Sequence, residues 1–587
     1  MDVKLIPPVK SFAMTGQALK AAKAFSPKDV FELDCFLPHA TRRAEKLFHD
    51  RGVRLKFVEV DDYGDQAYRI EVGKGGIIVC GRDQKGLLLG YRTLVQIAAQ
   101  CQRELPCCVI EDAPALRLRA FLLDLRVQKY KPAYLKELFT ELARLKYNAV
   151  IIEYADAFPF SRERLVTATV HYSPEQVAEV RKAAAGAGID VIPLQSTLGR
   201  LEYVLGLLPY HEFAGRNAAA SYLHENNLRF SMLDPRHPGA LKLALSLLDE
   251  VMDAHDSPYV HVGLDDTELL GWATDGAGAA GRKSAAELFE THAEHVLKHV
   301  IKNGRTPIIW SEGVERFPQC LARLPKQTII AVRHEDGPEH MGARLKMSAD
   351  AGFRVLAAPS ARCCPDNECA RETGRHVKHI ADAARAARTA GAAGVIITSW
   401  ATHDRMGFVY RDGAPCGFAP GSRRMHHAAH WYAVAAGAAL SWNPCDQCEQ
   451  LVEDAWPRVW FGSDDKRLTE LQFLQEHDAF QGADNAEIQR DRKRVLRIAG
   501  DVKPMIRAGQ LELLSFYARL SIHRLHARNV FKRALKPQEI EMLRGERERL
   551  IGRHKSLMSA TLFSSDIAEE REHFFGDTGL LLSRFKR

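Results

Sequence analysis

Between residues 113 and 445 the chain repeats one alternation: a short, continuous apolar run, then an amphipathic stretch at helical spacing. The runs are RAFLLDL (119–125), AVIIEY (149–154), DVIPLQS (190–196), YVHVG (259–263), PIIW (307–310), TIIAV (328–332), RVLAAP (354–359) and GVIITSW (394–400). A strand that is apolar on both faces must be covered on both, which is the condition of a parallel sheet flanked by helices. Eight such runs fit a closed barrel better than an open sheet. The reading is therefore α/β, a (β/α)8 TIM barrel. Its functional side chains are expected just past the C-terminal ends of the strands.

The flanks read differently. Residues 1–112 form a small α/β unit, with strands over VRLKFVEV (53–60), AYRIEVG (67–73) and GIIVCG (76–81) and a helix over 83–100. After 445 the strand signals stop. Segments 466–476, 485–500, 509–532 and 537–558 have helical periodicity, so 446–587 is read as a helical C-terminal region. The net charge of +7, from 81 basic and 74 acidic residues, is a small excess for 587 residues. It gives no reason to expect a nucleic-acid partner, and the densest basic stretch (Arg490, Arg492, Lys493, Arg494) is read as a solvated helix face. The N-terminus shows no signal-peptide pattern, and no stretch approaches 18 uninterrupted apolar residues, so no membrane contact is expected. Twelve cysteines in that context are read as reduced thiols of a cytoplasmic protein. Cys445 and Cys448 form a C-x-x-C, and Cys363, Cys364 and Cys369 cluster separately. Neither completes the four-ligand set zinc favours, so neither metal nor other cofactor is expected.

The strand ends carry the polar groups. YVHVGLDDTELLG (259–271) closes an apolar strand with His261, Gly263, Asp265 and Asp266. Neighbouring strand residues face opposite ways, so two adjacent aspartates share a pocket only if the ladder has stopped before them. Gly263 supplies the break. Two close carboxylates push their pKa values apart, leaving one ionised and one protonated near neutrality. Trp310 and Trp400 end two other runs, with rings suited to the apolar face of a sugar. Arg119, Asp124, Arg126, Glu153 and Asp156 flank the first two runs. Phosphate-loop, nucleophile-elbow and HExxH motifs are absent from the sequence.

At these residues the sequence resembles glycoside hydrolase family 20, the β-N-acetylhexosaminidases, and within it the pattern follows the hexosaminidase D branch. AYRIEV…GIIVCGRDQKGLLLGYRTLVQI resembles the small α/β domain that precedes family 20 barrels. IEDAPALRLRAFLLDLR, LKYNAVIIEYADAFPF, SPEQVAEV…AGIDVIPLQSTLGRLEYVL, HVGLDD, GVIITSW and HHAAHWYAVAAGAALSWNP then follow in the family's order. The resemblance implies hydrolysis assisted by the sugar's own 2-acetamido group, one of the exceptions to an enzyme nucleophile. It implies that Asp265 orients that group, Asp266 is the general acid and base, Arg119 holds ring hydroxyls and Trp400 lines the acetamido pocket. Glu153, His261, Trp310 and Glu312 complete the expected binding set.

The sequence also departs from the family pattern. Asp266 stands where the family has Glu, one methylene or about 1.5 Å shorter. An adjacent Asp-Asp pair is nevertheless known in family 84, another substrate-assisted group. Gly199-Arg200 replaces a Gly-His, Trp310-Ser311-Glu312 replaces a Trp-Asp-Asp-like turn, and Arg333-His334-Glu335-Asp336 replaces an aromatic-rich turn. Three readings stay open. One is an exo-glycosidase on a β-linked N-acetylhexosaminide. Another is a barrel glycosidase with altered, anionic-sugar specificity through Arg200 or Arg333. The last is a non-catalytic carbohydrate-binding relative. Homo-oligomerisation through the C-terminal helices also stays open.

Overall fold

The computed structural model of the chain describes residues 3–26, 40–215, 231–267, 270, 283–333, 338–363, 366, 369–401, 408–411, 414–418, 425–476, 485–532 and 536–584. Eight parallel strands close into a barrel: β1 (Leu118–Asp124), β2 (Ala149–Glu153), β3 (Asp190–Leu194), β4 (Tyr259–His261), β5 (Thr306–Trp310), β6 (Ile329–Val332), β7 (Arg354–Ala357) and β8 (Gly394–Ser399). Each pairs with the next. β8 closes the ring on β1, with Gly394 opposite Leu118 and Ser399 opposite Leu123. The eight apolar runs are the eight strands, shifted by a residue or two at their ends.

The pleat sorts the apolar residues into two cores. Ala120, Leu122, Ile151, Ile192, Leu194, Ile308, Ala331, Leu356 and Ile396 fill the barrel interior, capped by Trp310 and Trp400. The alternate residues, among them Phe121, Leu123, Val150, Ile152, Ile309 and Ile397, pack outward against the helices. Strands buried on both faces need this double apolar pattern. The helix Pro174–Gly186 begins on a capping box. Gln176 N donates to Ser173 Oγ (3.2 Å) and Ser173 N donates to Gln176 Oε1 (2.9 Å).

Below the barrel, a five-stranded sheet and the helix Gln84–Cys101 form a separate core. It meets the barrel at a buried junction in which Trp442 Nε1 and Lys146 Nζ both donate to the Asp112 carboxylate. After the barrel come helices Cys448–Phe461, Arg467–Phe473, Asn485–Asp501, Ala508–Val530, Pro537–Met558 and Ser564–Ser583. The basic stretch on Asn485–Asp501 is not one face. Lys493 and Arg494 are exposed, whereas Arg492 is buried with its Nε donating to Ser521 Oγ. Among the described residues no helix is long and apolar enough to cross a membrane, and no group of three or more His, Cys, Asp or Glu is arranged to hold a metal ion. Cys363, Cys369 and Cys448 are buried free thiols. Cys364 lies outside the described residues.

Candidate active site

The site is built on the segment after β4. The strand ends at His261, and the next five residues include three with left-handed backbone: Gly263 (φ 70°), Leu264 (φ 65°) and Asp266 (φ 50°). Such conformations at non-glycine residues cost of order 1 kcal/mol or more each and persist where the surroundings impose them. Here the imposing neighbour is the loop after β3. A Cβ on Gly199 would sit 2.3 Å from the Asp265 carbonyl oxygen and 2.8 Å from Asp266 Cβ, and one on Gly263 would sit 3.0 Å from Ser196 Oγ. The two loops touch backbone to backbone, and Arg200, also left-handed (φ 58°), follows at once.

The charges around this turn interlock. Asp265 is fully buried, with its carboxylate between Arg200 Nη1 (3.6 Å) and Arg333 Nη1 (3.9 Å). Neither of its oxygens has a hydrogen bond among the described residues. Arg333 Nη2 also lies 3.6 Å from Glu312 Oε2, and the other Glu312 oxygen accepts the Thr267 N–H (3.3 Å). Burial, and then the Asp265 charge beside it, push the Asp266 carboxyl well above the usual carboxylate range, although Arg200 and Arg333 pull the other way. Burial raises Glu312 and Glu153 as well. Asp266 is thereby favoured as the protonated member of a carboxyl pair, the condition for a general acid near neutral pH.

Aromatic rings lie beside these arginines. The Trp310 and Trp400 rings lie 5.7 Å apart, and His261 packs on Trp310 at 4.3 Å. The Gly263 N–H donates to His261 Nδ1 (3.1 Å), which places the ring proton on Nε2, and burial pushes the imidazole down to about 3, so it stays neutral. Three guanidiniums stand over Trp400: Arg200 at 4.9 Å, Arg333 at 5.5 Å and Arg126 at 6.0 Å from the ring centroid. Arg126 is fixed by Asp124, whose oxygens accept from Arg126 Nε and Nη2 at 3.0 Å each, while Asp124 Oδ2 also accepts the Ala401 N–H (3.1 Å). Burial alone would raise Asp124, but the Arg126 contacts hold it well below the usual range. Glu153, at the end of β2, lies 3.5 Å from Arg126, and its second oxygen is buried without a hydrogen bond.

Asp265, Asp266, Glu153, Arg200, His261, Trp310, Glu312, Arg333 and Trp400 thus converge on one end of the barrel. Arg119 does not. It is the second residue of β1, at the opposite end, and its place in the pleat is that of the outward-facing residues. Its guanidinium donates to Gln66 Oε1 and to the carbonyls of Lys146, Leu116 and Arg117, beside a cavity of about 850 Å³ beneath the barrel. That cavity is lined by strand starts, the wrong end for chemistry in this fold. The placement expected of Arg119 at the mouth is therefore corrected: the arginine that stands there is Arg126, which follows the inward-facing Asp124. Counting strand parity from Ala120 and Leu122 would have found it. Glu202, after β3, was not singled out from sequence; it interacts with Arg126, Arg200 and Glu153, and burial pushes its carboxyl up to about 7. His334, Glu335 and Asp336 lie outside the described residues.

A closed parallel barrel with paired carboxyls and tryptophans at its C-terminal mouth is the architecture of a carbohydrate-processing barrel. The glycosyl hydrolase family 20 catalytic-domain model matches residues 119–405, and that family's domain 2 model matches 14–113. The chain belongs to glycoside hydrolase family 20. It is 30 % identical over 213 residues to hexosaminidase D of Bos taurus, covering 34 % of this chain and 57 % of that one. It is 28 % identical over 214 residues to hexosaminidase D of Homo sapiens, covering 35 % and 41 %. The chain therefore spans about half the length of these relatives. Among solved structures it is similar in fold to a chitobiase of Flavobacterium johnsoniae (TM-score 0.58, 16 % identity, 99 % of this chain and 93 % of that one). It is also similar to a β-N-acetylhexosaminidase of Bacteroides fragilis (TM-score 0.56, 17 % identity, 79 % and 96 %).

Proposed function

We propose that the chain is a retaining exo-β-N-acetylhexosaminidase that works by substrate-assisted catalysis. The observation that carries this reading is the turn at Asp265 and Asp266, where a buried, ion-paired carboxylate adjoins a second carboxyl that burial and the Asp265 charge push above the usual range. In the first step the substrate's acetamido oxygen bonds to C1 as the C1–O bond to the aglycone breaks. Asp266 gives its proton to the leaving oxygen, so the aglycone departs as an alcohol. Asp265 faces the acetamido N–H and offsets the positive charge that develops there. In the second step Asp266, now a carboxylate, takes a proton from water as the water oxygen bonds to C1. The acetamido group is released and the β configuration retained. Arg126 and Glu153 hold ring hydroxyls over Trp400 and Trp310. The left-handed backbone at Leu264 and Asp266 is the feature by which this chain presents a shorter acid.

A division at residues 112 and 445, a cytoplasmic setting, a β-linked N-acetylhexosaminide substrate and a homo-oligomeric state belong to the same reading. The presence of Arg200 and Arg333 at the pocket supports an anionic sugar as the second reading. Against it, both guanidiniums face protein carboxylates, Asp265 and Glu312. The test is hydrolysis of 4-nitrophenyl N-acetyl-β-D-glucosaminide and its galacto epimer, with Asp266→Ala as blank. Turnover that vanishes in the variant is expected. Equal rates in parent and variant would remove Asp266 from the mechanism, and absence of turnover in both would move the weight to the second reading or to a binding protein.

A further inference from the structure

The C-terminal helices reach the pocket through one buried hydrogen-bond chain. Glu570, on helix Ser564–Ser583, and His554, on helix Pro537–Met558, face each other at 2.9 Å with both side chains 1 % exposed. The other Glu570 oxygen accepts from Gln128 Nε2 (2.8 Å) across 442 residues of sequence. Gln128 Oε1 in turn accepts from Arg362 Nη1 (2.8 Å) and from the Tyr130 hydroxyl (3.1 Å). Arg362 Nη2 donates to the Ser399 carbonyl (3.2 Å), and the Arg362 carbonyl accepts the Trp400 N–H (2.9 Å). The backbone is zipped alongside: Lys131 N donates to the Thr561 carbonyl (2.7 Å), and Lys129 N donates to Asp566 Oδ1 (3.1 Å).

The chain has a direction. An amide presents a carbonyl on one side and an NH2 on the other, and a flip of Gln128 would turn its N–H groups toward the Arg362 donor. A buried carboxylate on the far side fixes the orientation by accepting from the NH2. The anchored parts are the loop after β1, two residues beyond Arg126, and the end of β8 that carries Trp400. Both carry groups of the candidate site, Arg126 and Trp400. Burying a carboxylate away from water is costly unless it is well paired, and nothing in the proposed reaction touches Glu570.

We propose that Glu570 is a positioning residue for the sugar pocket, acting through Gln128 and Arg362 on the segment that carries Trp400. Its consequence for turnover rests on the glycosidase reading above; its consequence for Trp400 does not. In the full-length chain Glu570→Ala is expected to lower kcat/KM by on the order of tenfold to 100-fold, since a displacement near 1 Å costs about that much. Glu570→Gln, which keeps an acceptor for Gln128, is expected to recover most of it. The second readout is the emission of Trp400, taken as the difference between each protein and the same protein carrying Trp400→Phe. In Glu570→Ala this component is expected to shift to the red and to become more open to acrylamide quenching, and in Glu570→Gln to return. If the alanine variant fails to fold, Gln128→Leu breaks the same chain from the barrel side and is expected to give the same shift. A folded variant with lower melting temperature but unchanged Trp400 emission overturns the proposal. Absence of glycoside turnover in the parent would count against the glycosidase reading alone, because the emission readout still decides this one.

Discussion

Gly199→Ala tests the core of the site without replacing a charged group. The added Cβ would stand 2.3 Å from the Asp265 carbonyl oxygen and 2.8 Å from Asp266 Cβ, where ordinary contact begins at 3.4 Å. The first approach is short by about 1 Å, and the atom it meets is backbone, which no rotamer change can move aside. The backbone there is already left-handed at Leu264 and Asp266, so the turn has little freedom to slide. Either the turn or the loop after β3 must shift by about that distance. Overpacking of this kind costs roughly 1–3 kcal/mol of stability. A 1 Å misplacement of the acid costs about 100-fold in rate, or ~2.7 kcal/mol of barrier. The assays are kcat/KM on 4-nitrophenyl N-acetyl-β-D-glucosaminide and the urea midpoint, measured on the same preparation. Both should fall. A variant with parental kcat/KM and an unmoved midpoint would refute the backbone contact as the device that sets the carboxyls.

Other outcomes follow from the same geometry. Asp266→Asn should abolish turnover of substrates with poor leaving groups, by 10²-fold or more, while Asp266→Glu should lower rather than raise it, because the turn already presents the shorter acid; a gain on lengthening would show that the acid is simply too short. Arg126→Ala should raise KM and also lower the melting temperature, because it leaves the buried Asp124 carboxylate without its partner, whereas Arg119→Ala should destabilise by ~2–3 kcal/mol, through the buried acceptors it abandons, and leave KM alone; steady-state kinetics distinguish the two. Because the raised Asp266 acts as an acid, the rate should decline on the alkaline side as pH rises through its pKa, a limb that should be missing from a pH profile of Asp266→Asn. Burial lowers His255 and His292 to about 4 and His261 and His426 to about 3. These imidazoles are neutral when folded and take up protons on unfolding below about pH 6.5, so their contribution is full above that pH and is lost as pH falls toward 4. The raised carboxyls of Glu153, Glu202, Glu312 and Asp266 act in the opposite sense, so the histidine contribution is read by difference: between pH 7 and 5 the urea midpoint of His292→Gln should fall less, or rise more, than that of the parent, and equal shifts in the two would contradict this.

The barrel was legible because its strands are buried on both faces and so read as unbroken apolar runs. The break at Gly263 was legible for the same reason, since a glycine ends the pattern just before two carboxylates. Arg119 misled because the resemblance fixed its neighbourhood, while its end of the strand and its side of the pleat decide its contacts. Gly199 was marked only as half of a Gly-Arg pair; what makes it matter is a loop 64 to 67 residues further on. The helix Ser564–Ser583 falls inside the region read as helical but outside its named periodic segments, since Gly576 and Gly579 interrupt its pattern. Its packing against the barrel offsets that local cost, which only the tertiary structure shows.

The bridge between Tyr130 and Leu562 also bears on how the molecule is made. The loop that follows the first barrel strand finds its partners in helices that leave the ribosome long after all eight strands have been synthesised. Contacts of such separation close slowly, because the intervening chain must be ordered first. A nascent barrel therefore waits with one side of its mouth unbraced until those helices dock. A chain cut short after the barrel would carry the acid turn and both tryptophans, yet hold them without the brace that the later helices add.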